Sequence, residues 1–147
     1  MGSDKEDALD ESQILTGRAA VVTGAGRGIG RGHCLHLARA GAAVVVNDVD
    51  GDEAAKVVAE IAAEGGRAVA SSADVGSRKG CEEVVGQCVG AFGRIDALVA
   101  NAGIMRDRSF LKMSDDEFMS VIRVHVHGTF MCSQEAAFRK RDKGAKS

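Results

Sequence analysis

The chain has 147 residues, 45% hydrophobic and 27% charged, the balance of a single globular domain with one sizeable core. Its 19 Lys and Arg nearly cancel its 21 Asp and Glu, leaving −2, which argues against a basic nucleic-acid-binding surface. No apolar run reaches the ~20 residues that span a bilayer, and Met1–Asp7 lacks the apolar stretch of a signal peptide, so neither membrane nor secretion is expected.

Residues 1–16 carry five acids (Asp4, Glu6, Asp7, Asp10, Glu11) and few apolar side chains, the composition of a mobile lead-in. A regular alternation follows. Ala19–Thr23 is a short apolar, β-branched run ending in glycines, which predicts a buried strand. Ile29–Ala40 has helical spacing and stops at Gly41. Ala43–Asp48 predicts a second buried strand. Asp52–Glu64 predicts a second helix, with Ala55, Val58, Ala59 and Ala62 on its apolar face. Ala68–Ala73 is a third strand, Ser77–Phe92 a third helix closed by Gly93, and Ile95–Asn101 a fourth strand. Ser114 and Glu117 have capping-box spacing and open a long helix. Phe118, Val121, Ile122, His125, Thr129 and Cys132 continue it to about Phe138. Strands alternating with helices of this length imply parallel pairing and right-handed crossovers, hence an α/β fold with a doubly wound parallel sheet.

Thr23–Gly30 (TGAGRGIG) falls where the first strand meets the first helix. A diphosphate needs backbone N–H groups at a helix N-terminus with no Cβ to hold it away. Gly24, Gly28 and Gly30 suit that task, although their spacing differs from the G-x-G-x-x-G fingerprint. A glycine-rich turn alone is also an ordinary loop, and its position between strand and helix is what favours a ligand. Asp48 ends the second strand, 24 residues after Gly24. A carboxylate there accepts hydrogen bonds from ribose hydroxyls and repels a 2′-phosphate, which favours NAD over NADP. Arg27 pulls the other way, since a basic residue in the turn suits a 2′-phosphate, and it reads equally as an exposed arginine. Asp50 reads as the start of the next helix.

In order and spacing, Thr23–Gly30, Asn47-Asp48, Ala73-Asp74-Val75 and Asn101-Ala102-Gly103 resemble the N-terminal part of the short-chain dehydrogenase/reductase family across residues 15–138. The resemblance implies a Rossmann-like NAD(P)-binding domain over 17–138, with 139–147 left as a basic, disordered tail. It implies that Asp74 bonds the adenine amino group, that Val75 adds backbone contacts, and that Asn101–Gly103 lines the nicotinamide ribose. The cofactor set so implied is Thr23, Gly24, Arg27, Gly28, Ile29, Gly30, Asp48, Val49, Asp74, Val75, Asn101, Ala102 and Gly103. Asn101–Phe110 and Val124–Phe130 are further similar to the dehydrogenase units of peroxisomal multifunctional enzymes and to related bacterial dehydrogenases. That similarity points to a 3-hydroxyacyl-CoA, or more broadly to a small-molecule alcohol or carbonyl substrate.

Members of the family work with Ser, Tyr and Lys, and with an Asn on the helix after the fourth strand. The resemblance puts the first three beyond residue 147, so the sheet is expected to be cut after the fourth strand and its following helix. The chain has no tyrosine to substitute. Asn falls at His125, for which two readings stand: a catalytic proton relay, or a packed helix histidine beside Phe118 and Ile122. His33 and His36 share a helix face without a third ligand, so no metal is expected, and His127 reads as solvent-facing. The basic residues Arg139–Lys143 complement a helix C-terminus.

Cys34, Cys81, Cys88 and Cys132 form no Cys-x-x-Cys and read as reduced, buried thiols of a cytoplasmic protein. Two functions remain open, an NAD-dependent alcohol dehydrogenase whose cofactor half this is, and a dinucleotide-binding fragment without redox activity. A methyltransferase-like fold fits the Asn-Ala-Gly segment less well. A fourth strand without a neighbour would present a long apolar edge, favouring a homo-oligomer or other association through it.

Overall fold

The computed structural model describes residues 13–144. Four strands, β1 (Ala19–Val22), β2 (Ala43–Asn47), β3 (Arg67–Ser71) and β4 (Ala97–Val99), form one parallel sheet in the order β3-β2-β1-β4. Between them run α1 (Gly28–Arg39), α2 (Gly51–Ala63) and α3 (Arg78–Phe92). After β4 come a short 3-10 turn (Phe110–Lys112), α4 (Asp115–Ile122), a π-helical stretch (Arg123–Gly128) and α5 (Thr129–Gly144).

Successive side chains of the central strands face opposite layers. Ala19, Val21 and Val45 pack on Cys81, Val84 and Cys88 of α3 and on Met131 and Cys132 of α5. Val22, Val44 and Val46 pack on Cys34 and Leu35 of α1 and on Ala54, Val57 and Ile61 of α2. Because both faces are covered, β1 and β2 read as unbroken apolar runs. The sheet is therefore Rossmann-like and doubly wound, as the alternation predicts. From β1 the chain first builds β2 and β3 on one side, then crosses to β4 on the other. That reversal opens a crevice at the carboxyl ends of β1 and β4.

Several boundaries differ from the sequence reading. In α2 the buried residues are Ala54, Val57 and Ile61, whereas Ala55, Ala59 and Ala62 are exposed. The larger side chains win the core because each buries about 1.5–3 kcal/mol of apolar surface, more than an alanine can. The expected lead-in ends early: the backbone N–H of Leu15 donates to the Ala40 carbonyl at 2.7 Å, and its side chain packs on the α1–α2 core. Residues 1–12 lie outside the described residues.

The fourth strand is only three residues long. At its start Asp96 turns its carboxylate back onto the Ala19 N–H, 2.8 Å away, and at its end Asn101 folds towards the glycine turn. The expected single helix over Ser114–Phe138 is interrupted by the π stretch, with Phe118 and Thr129 exposed. Finally, α5 continues through the expected tail to Gly144, supported by the Glu135–Arg139 ion pair one turn apart at 2.7 Å. Residues 145–147 lie outside the described residues.

Candidate cofactor site

The glycine turn is pinned from both sides. Thr23 N–H donates to the Val99 carbonyl at 3.0 Å, and Ala25 N–H donates to the Asn47 carbonyl at 2.7 Å. Gly24 has φ +60°, and a Cβ there would stand 2.7 Å from Ala102 Cα, so only glycine lets the turn approach the segment after β4. Gly28 also has positive φ, +53°, but a Cβ there would meet nothing within 4 Å. A Cβ on Gly30 would collide with the Gly24 carbonyl and with Asn101 Nδ2. Gly30 thus sets the fit of helix to strand, while Gly28 faces open space.

The helix that follows is open at its N-terminus. Asp50, Ser77 and Ser114 cap α2, α3 and α4 with side-chain oxygens, whereas Arg27 gives α1 no side-chain cap and its first turn holds no acid. Free N–H groups at a helix start, next to glycines, suit an anion.

A cavity of about 210 Å³ opens beside this turn. One wall is Gly24, Asp48 and Val49; the other is Asn101–Ile104; Asp74, Val75 and Val124 close it. Asp48 is aimed by the backbone: its Oδ2 accepts from Gly26 N–H at 2.9 Å and its Oδ1 from Asp50 N–H at 3.0 Å. Asp74 Oδ1 accepts from Gly76 N–H at 2.9 Å, while the Asp74 carbonyl accepts from Ser77 Oγ at 2.8 Å. Asn101 Nδ2 donates to the carbonyls of Thr23 and Gly24 at 3.1 and 2.9 Å, tying β4's exit to the turn. The buried Thr23 hydroxyl accepts from Ala102 N–H at 3.0 Å.

The structure therefore sorts the thirteen residues expected at the site. Gly24, Asp48, Val49, Asp74, Val75, Asn101, Ala102 and Gly103 share the cavity. The other five do not line it: Thr23 and Gly30 are buried supports of the turn, and Arg27, Gly28 and Ile29 are exposed on the turn and the start of α1.

His125 stands beside this wall: its Nε2 is 2.9 Å from the Ile104 carbonyl oxygen and 3.1 Å from the Ile104 nitrogen. Its ring lies so close to Gly103 that no Cβ fits there. The histidine is exposed, not buried, and its ring faces the Gly103–Ile104 backbone. His127 is exposed and stacks on Phe130 at 6.4 Å.

Ile104, Val124 and Asn47 belong to the segments that carry the resemblance but are not among the expected site residues. Asn47, 1% exposed, donates through Nδ2 to the Ala73 carbonyl at 2.9 Å and so fixes the start of the Asp74 loop. A carboxamide ending a wholly apolar strand was its available signal. Among the described residues no group of three His, Cys, Asp or Glu is placed to hold a metal ion. A larger cleft of about 450 Å³ opens at the other ends of the strands, where Arg39 and Glu64 pair at 2.7 Å. It is lined by the C-terminal ends of α1 and α2 and the turns that follow them.

Residues 18–145 match the family model for short chain dehydrogenase. The chain belongs to the short-chain dehydrogenase family. It is 47% identical over 146 residues to the hydroxyacyl-CoA dehydrogenase ChsB1 of Mycobacterium tuberculosis, covering 96% of this chain and 46% of that protein. It is 45% identical over 129 residues to peroxisomal multifunctional enzyme type 2 of Mus musculus, covering 82% of this chain and 17% of that one. A crystal structure of a short chain dehydrogenase from Mycobacterium avium superposes with a TM-score of 0.86 at 41% identity, over 90% of this chain and 51% of that one. This short-chain dehydrogenase chain thus spans about half the length of the first of these relatives. Among its described residues no helix is long and apolar enough to cross a membrane.

Proposed function

We propose that this chain is the dinucleotide-binding part of an NAD-dependent short-chain dehydrogenase acting on an alcohol or carbonyl substrate. The observation that carries this reading is the backbone-aimed carboxylate of Asp48, sharing one cavity with the Gly24 turn, Asp74 and Asn101–Gly103. In this reading the uncapped start of α1, with Gly28 facing open space, holds the diphosphate, Asp48 the adenosine ribose and Asp74 the adenine edge. Asn101–Gly103 borders the nicotinamide ribose. When bound, the nicotinamide supplies the hydride acceptor or donor. NAD is preferred over NADP because Asp48 repels a 2′-phosphate. His125 acts by holding the Gly103–Ile104 backbone in place.

The names of the relatives, a hydroxyacyl-CoA dehydrogenase and a peroxisomal multifunctional enzyme among them, support a 3-hydroxyacyl-CoA as substrate class. Four buried free cysteines support a reducing, cytoplasmic setting. The outer side of β4, which pairs only with β1 among the described residues, supports association into a homo-oligomer through that edge.

Titration calorimetry of the 147-residue chain with ADP-ribose tests the binding reading. Binding is expected, and Asp48→Ala should weaken it by about tenfold or more, the worth of a charge-assisted hydrogen bond. Failure of ADP-ribose to bind, or indifference to Asp48→Ala, would overturn it. The second reading, a binding module without redox activity, is favoured by the absence of any tyrosine in the chain.

A further inference from the structure

Arg27 is exposed in the glycine turn, just before α1, and the acids around it already engage its charge. Its Nη2 is 2.8 Å from Asp50 Oδ2 and its Nε is 3.5 Å from Glu53 Oε2. Asp50 does two jobs at once, since its Oδ1 accepts from Glu53 N–H at 3.3 Å and caps α2. Glu53 is shared as well, with Lys56 Nζ 2.5 Å from its Oε1. The closeness of the turn to α2 depends on Gly26, where a Cβ would stand 2.8 Å from both Asp48 Oδ2 and Glu53 Cβ. Two cations, Arg27 and Lys56, thus engage Asp50 and Glu53, with Asp52 in the same first turn of α2 and Asp48 held on the Gly26 and Asp50 N–H groups.

We propose that Asp50 and Glu53 are positioning residues for cofactor choice: they hold Arg27 towards α2 and withhold it from a ribose 2′-phosphate. The proposal rests on the dinucleotide reading above. A guanidinium is well matched to a phosphate, and an arginine in this turn would by itself favour the phosphorylated ribose. Exposed ion pairs are individually weak, but two carboxylates on one guanidinium leave it little net charge to offer. Discrimination against the 2′-phosphate therefore has two sources, repulsion by Asp48 and sequestration of Arg27. Removing Asp48 alone relieves only the first.

The test measures the affinities of the 147-residue chain for ADP-ribose and for 2′-phospho-ADP-ribose, and their ratio. Asp48→Ser should improve the relative affinity for the phosphorylated ligand. Adding Asp50→Asn and Glu53→Gln should improve it by about a further tenfold. Asn still caps a helix and Gln keeps the length of Glu53, so α2 should be retained, which circular dichroism checks. The decisive arm adds Arg27→Ala to that triple variant. The tenfold gain should vanish, and with Arg27 present it should shrink at high salt. Without ligand, the Arg27 Nε–H resonance of 15N-labelled protein should shift on Asp50→Asn/Glu53→Gln. ADP-ribose failing to bind would remove the dinucleotide reading and this proposal with it. ADP-ribose binding with no Arg27-dependent gain, or an unmoved Arg27 resonance, would overturn this proposal alone.

Discussion

His125 Nε2 lies within hydrogen-bonding distance of both backbone groups of Ile104, 2.9 Å from its oxygen and 3.1 Å from its nitrogen. One ring nitrogen, carrying a proton or lacking one, serves only one of them at a time, so the tautomer decides whether it donates to the carbonyl or accepts from the N–H. His125→Ala removes either bond. The Ile104 amide should then exchange its hydrogen about fivefold faster, the worth of ~1 kcal/mol. Unchanged exchange would show that the 3-10 turn and α4, not His125, hold this segment.

The two positive-φ glycines of the turn should separate folding from binding. Gly24→Ala combines left-handed strain with a clash against Ala102 and should cost at least about 2 kcal/mol in urea unfolding. Gly28→Ala carries strain without a clash and should cost about 1 kcal/mol. Yet Gly28→Ala should still lose ADP-ribose, because its new methyl group faces the open start of α1. Equal destabilisation by the two would refute the packing argument.

Asp96 makes the acid limb of stability. Burial opposes its ionisation but is outweighed by hydrogen bonds from Arg94, the Ala19 N–H and Arg18, which hold its carboxyl at about 2 rather than 3.8. A lowered folded-state pKa stabilises wherever the carboxylate is ionised, above about pH 4. That advantage, about 2 kcal/mol, drains away as pH falls from 4 towards 2. Urea midpoints across this range should fall for the native chain, and Asp96→Asn should remove that share of the slope.

Burial pushes the Cys34 thiol up to about 12 and, with help from Asp96, the Cys88 thiol up to about 11; it raises Cys81 and Cys132 as well. Thiolates are the reactive form. A thiol-disulfide reagent at neutral pH should therefore leave the four cysteines of the folded chain nearly untouched and titrate all of them in urea. Rapid reaction of even one in the folded state would contradict its burial.

The 147-residue chain, which has no tyrosine, should give no NAD-dependent oxidation of a 3-hydroxyacyl-CoA. Formation of NADH above background, abolished by His125→Ala, would make the histidine an acid/base group instead of a positioning one.

What the sequence disclosed followed from local rules. Val21, Val22 and Val44–Val46 announce buried strands, and Gly24 and Gly93 announce turns with positive φ. Ser114 and Glu117 form the complete capping box that their spacing predicts. The hidden parts depend on contacts between distant residues. Nothing near Asp96 in the chain says that its carboxylate will return to Ala19, 77 positions earlier, and shorten β4. Nothing in the apolar period of α2 says that Val57 and Ile61 will outcompete Ala55 and Ala59 for the core. Nor does the family pattern place His125 against Ile104, because helical periodicity is blind to the π winding that brings the ring there.

That winding sets a phase. A π stretch holds one residue more than the α-helix it interrupts, so the faces of α4 and α5 are offset from those of one continuous rod. Deleting any single residue between 123 and 128 would let the segment relax into an ordinary α-helix. Were all six residues instead to rewind as α-helix, with none lost, everything downstream would swing by about 100°. Met131 and Cys132 would leave α3, and the basic turns near Arg139 would rotate with them. The seat of Met131 and Cys132 on α3 thus rests on the winding of 123–128, where the loss of one residue is absorbed and the loss of the winding is not.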